Sequence, residues 1–136
     1  MDIVEFLSKI AEVFYGKGES LPGCALTEAE AIAWVQQQFP HKPYCLVRDW
    51  RWLDLQLDGA ALEEVERSGR RPALIFAETI VFDSRARFRP GHWVRTTLLV
   101  SYTEGGLFET RNTVYVLLGA GCRLSADSTI VASLFQ

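Results

Sequence analysis

The chain has 136 residues, of which 49% are apolar, 12% aromatic and 23% charged, with a formal net charge of −3. A chain of this size and composition buries roughly 68% of its unfolded surface, which excludes disorder and any need for metal or disulfides to hold a core. No apolar run approaches the ~20 residues of a membrane span, and the start Met1-Asp2-Ile3-Val4-Glu5 places acids where a secretory leader carries positive charge; a cytoplasmic protein with one domain over residues 1–136 is expected.

Apolar residues recur at Ile3, Phe6, Leu7, Ile10, Val13 and Phe14, the spacing of one helical face, and Gly16 and Gly18 end that helix. Pro22-Gly23 marks a loop. Thr27-Glu28-Ala29-Glu30 reads as a capping box, so a second helix is predicted from Glu28 to Phe39, with Ala31, Ile32, Val35 and Phe39 inward and Pro40 and Pro43 preventing its continuation. From Tyr44 the period changes to two. Tyr44 to Trp50 and Trp52 to Leu57 read as strands, Asp58-Gly59 as a turn, and Ala60 to Ser68 as a short helix ended by Gly69. Ala73 to Asp83, His92 to Thr103 and Leu107 to Leu118 are rich in β-branched and aromatic residues, with Glu104-Gly105-Gly106 turning between the last two, and predict an antiparallel meander. Ser125 to Phe135 carries Ile130, Val131, Leu134 and Phe135 at helical spacing. Helices precede strands without β-α-β alternation. The expected class is α+β: an antiparallel sheet of four or five strands with the N-terminal helices packed on one face.

Charge divides the chain. Residues 1–66 hold twelve acids against five bases, and residues 67–136 hold nine bases, all arginine, against five acids. Arginine's planar donor fork suits carboxylates and phosphates, so the second half is expected to pair, either with the acidic half or with a partner. Cys24, Cys45 and Cys122 include no C-x-x-C pair, and neither histidine stands at a ligand-like spacing, so reduced thiols, no metal and no cofactor are expected.

Three features are candidate sites. Glu78 falls among large apolar residues of its strand, where a carboxylate needs a raised pKa or a cation; Arg95 and Arg111 are its candidate partners in a pocket, unless a bulge turns it outward. Arg85, Arg87 and Arg89 point the same way if their loop is extended, followed by His92 and Trp93. Trp50-Arg51-Trp52 offers two indoles and a guanidinium, the favoured anchors of protein interfaces. No nucleophile elbow, phosphate loop, H-E-x-x-H or dinucleotide fingerprint appears, and a nucleophile with His92 as base requires contacts that the sequence does not show.

Leu107 to Gly121, together with Phe82-Asp83 and Arg95-Thr96-Thr97, resembles a small family of uncharacterised bacterial domains over most of the chain from about Leu21 onward. The resemblance transfers no catalytic residue. Members occur in bacterial chromosomes and prophages, which implies a role in genetic conflict as an immunity protein, antitoxin or counter-defence factor. The missing catalytic signature, the split charge and the surplus of Trp and Arg predict a non-enzymatic function: occlusion of a macromolecular partner, foremost a protein, with a homodimer left open. The alternatives are a small-ligand-binding domain or hydrolase around Glu78, and nucleic-acid binding through the Arg85, Arg87 and Arg89 loop, which the acidic pI disfavours.

Overall fold

The computed structural model describes residues 1–134, arranged as α1 (Ile3–Tyr15), β1 (Glu19–Pro22), α2 (Glu28–Gln38), β2 (Tyr44–Gln56), α3 (Gly59–Arg67), β3 (Ala73–Asp83), β4 (Val94–Arg95), β5 (Ser101–Thr103), β6 (Leu107–Glu109), β7 (Val114–Leu117), β8 (Ala120–Asp127) and α4 (Ser128–Leu134). It is a mixed α+β fold. Asp2 caps α1 by accepting from the Glu5 amide, and the Thr27–Glu30 capping box starts α2 as expected. The final helix differs: Ser125 belongs to β8, Asp127 accepts from the Thr129 and Ile130 amides at the start of α4, and Phe135 lies outside the described residues.

All eight strands join one curled sheet, in place of the expected four or five. β2 is a single long strand through Arg51, paired antiparallel with β3 along its length. Its other edge is parallel, with Tyr44–Val47 against β7 and Arg51–Gln56 against β8, so the sheet is mixed and not purely antiparallel. These parallel partners lie far apart in sequence, and local periodicity carries no trace of them.

The expected meander survives only in pieces. Residues 94–103 do not form one strand: the start pairs with β3, through Val94–Arg95 and the Thr96 and Leu99 amides, while Val100 and β5 pair with β6. Leu107 to Leu118 is likewise a hairpin of β6 and β7 around Thr110–Thr113. The consequence is closure. Hydrogen bonds run from β2 to β3, through 94–103 to β6, on to β7 and back to β2.

The interior of this circuit is the main core, built from Cys45, Val47, Trp50, Trp52, Ile75 and Phe108 with their neighbours. Helices cover two places outside it. α2 places Ala31 and Val35 on Leu46, Val114 and Val116; α1 and α4 place Val13, Ile130 and Val131 on Leu53, Leu74 and Phe76. Ile3 and Leu7, expected inward on α1, are 67% and 56% exposed, because the helix is buried through the narrower row Phe6, Ile10, Val13 and Phe14.

Asp83 closes one end of the interior. Its carboxylate is fully buried and accepts from the Arg87 amide at 2.7 Å and from Arg87 Nε and Nη2 at 3.1 and 2.7 Å, while Arg87 Nη1 reaches the Thr113 hydroxyl at 2.9 Å. Burial alone would raise the Asp83 carboxyl; the hydrogen bonds and charge of Arg87 outweigh it and hold the group below the usual carboxylate range. A carboxyl lowered in this way contributes stability above its unfolded value of about 3.9 and loses it as pH falls through the lower folded value. Arg87→Gln, which strands the buried charge, should cost about 3 kcal/mol in urea unfolding at pH 7, and the gap to wild type should narrow as the solution is acidified below about pH 4. An equal midpoint at pH 7, or a gap that does not change with acid, would contradict this.

Candidate functional site

In β3, Ala73, Ile75 and Ala77 face the interior and Leu74 and Phe76 face α1 and α4. The next interior residue is Ile80, so the alternation slips between Ala77 and Ile80. Opposite the slip, Asp49 of β2 adopts φ +54°, between the Arg48–Thr79 and Trp50–Ala77 pairs. Glu78 keeps the outward face of Phe76, where it is exposed to solvent, and the slip takes Ile80 off that face. The expectation of a buried carboxylate is corrected: water solvates the charge, and no cation is needed to neutralise it.

Glu78 borders a hollow of about 480 Å³ lined also by Phe14, Tyr15, Phe76, Trp93 and Leu134. The rings form a row. Tyr15 and Phe14 lie 6.3 Å apart, Phe14 meets Phe76 edge-on at 5.2 Å, and Phe76 lies 6.0 Å from Trp93. Tyr15 and Trp93 at its two ends are 82% and 58% exposed. Beyond Glu78, a second hollow is lined by Asp49, Trp50, Arg51, Ala120, Gly121 and Cys122, so the carboxylate stands on the ridge between the two. Apolar walls beside two exposed carboxylates, Glu78 and Asp49, suit a cationic side chain carried on an apolar stem.

The other expected site residues separate. Trp50 is 1% exposed and donates to the Leu118 carbonyl at 3.2 Å; Trp52 is 4% exposed, edge-on to Tyr102 and Phe108. Arg51, between them, donates from Nη2 to the Gly16 carbonyl and so ties β2 to the end of α1. Both indoles are core, which corrects the expected Trp50-Arg51-Trp52 interface. Arg87 is structural, and Ala86 at φ +51° breaks the extended geometry that would align Arg85, Arg87 and Arg89. Arg85, Arg89 and His92 are exposed but form no stripe with Arg87.

Nor do Glu78, Arg95 and Arg111 converge. Arg95 sits opposite Phe76 in the β3–β4 ladder, whereas Arg111 donates to the Ser68 carbonyl and borders a different hollow beside His41 and Lys42. Cys24 and Cys45 are buried free thiols, and burial pushes Cys45 up to about 12, far from the thiolate needed for reactivity. Among the described residues, no three His, Cys, Asp or Glu side chains stand close enough to hold a metal ion, and no helix is long and apolar enough to cross a membrane.

Tyr15 and Phe14 were not among the expected site residues. The available signal was the aromatic pair at the end of a helix whose apolar residues exceed one face, since Val4 and Tyr15 fall outside the predicted row.

A family model described as a domain of unknown function (DUF6957) matches residues 22–133. No curated protein and no solved structure matches the chain. The matched stretch holds the closed sheet, Glu78 and Trp93, and begins after α1.

Trp93 is the most exposed indole, so acrylamide should quench one fraction of the native tryptophan emission readily, and Trp93→Phe should remove that fraction and shift the emission to the blue. Quenching that is unchanged in the variant would place the accessible indole elsewhere.

Proposed function

The chain belongs to the DUF6957 family, a relationship that brings no activity with it, and on that premise we propose that it is a non-enzymatic binding protein that covers a protein partner. The observation that carries this reading is the pair of large exposed rings, Tyr15 and Trp93, flanking a hollow with a carboxylate on its edge. Exposed Tyr and Trp are the side chains most enriched among the anchors of protein interfaces, because they bury a large area while losing little rotamer freedom. The surface extends along α1, where Ile3, Val4 and Leu7 are 67%, 72% and 56% exposed.

Charge selects the partner. Of the twelve acids in residues 1–66, Asp54 alone is ion-paired among the described residues, so the acidic half keeps most of its charge on the surface. A partner segment that presents Lys or Arg flanked by apolar residues matches this: the cation meets Glu78 while its stem lies between Tyr15 and Trp93. A cation over an aromatic face contributes about 0.5–2 kcal/mol, depending on how far it is desolvated. Acidic proteins that act as immunity proteins, antitoxins or counter-defence factors in the cytoplasm would work in this way, by sterically blocking a basic functional surface.

The test is capture from extract of the source organism by the tagged full-length chain, followed by affinity measurement on the purified partner. Trp93→Ala and Glu78→Arg should each weaken that complex about tenfold or more, while Arg85→Gln, an exposed change away from the rings, should leave it intact. All three variants should keep the wild-type melting temperature. A captured protein that binds all of them equally, or no protein above background, would defeat the proposal.

A further inference from the structure

The two ends of the curled sheet are built differently. Where Cys45 pairs with Asp83, the interior is stopped by the Asp83–Arg87 ion pair and by Phe88. At the far end of the same ladder Asp54 pairs with Ala73, and there the inward residues Trp52, Ala73, Leu99 and Tyr102 open onto a hollow of about 390 Å³. Arg71, Arg123 and Asp54 stand around this opening. The mouth of a β-barrel is a recurrent place for small ligands, and this volume falls within their usual range.

The side chains at the mouth are arranged in advance. Arg123 donates from Nε and Nη2 to the Asp54 carboxylate at 2.7 and 3.0 Å, and its guanidinium carbon lies 4.7 Å from the centre of the Trp52 ring. Asp54 also accepts from Trp52 Nε1 at 3.1 Å, so its oxygens are engaged with the protein. Two of the five N–H groups of Arg123 are used, which leaves three for an outside acceptor. Arg71 is exposed; its amide pairs with the Leu99 carbonyl, and its guanidinium has no hydrogen bond or ion pair among the described residues. Two guanidiniums and one occupied carboxylate line the opening, with Glu19, opposite Arg123 in the β1–β8 ladder, as a further charge acting on Arg123 from outside it, over a floor that contains Tyr102, edge-on to Trp52 at 5.0 Å.

We propose that this mouth binds a phosphate carried on a flat ring, as in a nucleoside 5′-monophosphate. The phosphate bridges Arg71 and Arg123, its oxygens accepting from the N–H groups of the two guanidiniums, and the ring seats on Tyr102 and Leu99. The site shares no residue with the Glu78 hollow, so it stands or falls apart from the protein-binding reading.

Titration calorimetry on the full chain tests it, with AMP, GMP, CMP and UMP as probes and with the matching nucleosides and inorganic phosphate as controls. At least one monophosphate should bind about tenfold or more tightly than either its nucleoside or phosphate alone. Arg71→Gln should weaken it about tenfold, as expected for one lost charge-assisted contact, and the exposed Arg85→Gln should not. The Arg71 side chain is at the surface with no hydrogen bond or ion pair among the described residues, so its variant should fold as wild type, checked by its melting temperature. The proposal is overturned by no heat from any of the four at millimolar concentration, by affinity unchanged in Arg71→Gln, or by nucleoside or inorganic phosphate binding equally well.

Discussion

Everything in this fold depends on β2 being hydrogen-bonded along both edges. β3 occupies one edge throughout, whereas the other is shared between β7 and β8, which follow each other in the chain with only Leu118 and Gly119 between them. The two parallel stretches are out of step. Val47 pairs with Leu117 and Arg51 with Cys122, so four steps along β2 oppose five along β7–β8. The extra residue has to be absorbed locally. Gly119 takes it up at φ +71°, a conformation that a residue with a Cβ reaches only with strain, and Asp49 answers at φ +54° on the facing strand.

Trp50 fixes this junction. Its ring faces inward, its indole N–H donates to the Leu118 carbonyl, and Gly121 lies so close that a Cβ there would run into the ring. The bend then aims the first half of β2 at β7 and the second at β8. Without it, the sheet could not both close through β6 and receive α1 and α4 on β8. A tryptophan that the pattern offers equally well as an interface anchor is therefore needed in the core, and alternation alone could not decide between the two roles.

Elements with local causes were legible in the sequence. The Thr27–Glu30 box, the Gly105-Gly106 turn and the long apolar stretch of β3 each follow from interactions within a few residues, and each stands where it was expected. Parallel pairing, the division of residues 94–103 between two neighbours and the short strand β1 depend on partners distant in the chain, which composition does not encode. At the site, Glu78 was singled out as a carboxylate in an apolar run. Its position was informative, but the apolar run around it splits between two faces, Ile80 inward and Glu78 outward beside Phe76, so the charge is exposed and not buried. The arginine-rich half resolved in the same way: Arg87 and Arg123 are held by Asp83 and Asp54, whereas Lys42 and Lys9 of the acidic half pair with Glu109 and Asp127 of the basic one. Pairing across the halves is real, yet it consumes few of the acids.

The energetics of α1 connect the fold to the proposed function. An isolated helix of thirteen residues is marginal in water, so α1 depends on its contacts with α4 and β8. Those contacts gather toward its C-terminal end, where Val13 is its one fully buried residue and Phe14 meets Phe76, while Ile3, Val4 and Leu7 are largely exposed. Leaving a row of apolar side chains in water gains the isolated chain no stability. A surface that buries the row would hold α1 along its whole length and would cover Tyr15 in the same act. In the proposed complex, stabilisation of α1 and affinity for the partner would then draw on the same apolar area, the side chains that the fold itself leaves exposed.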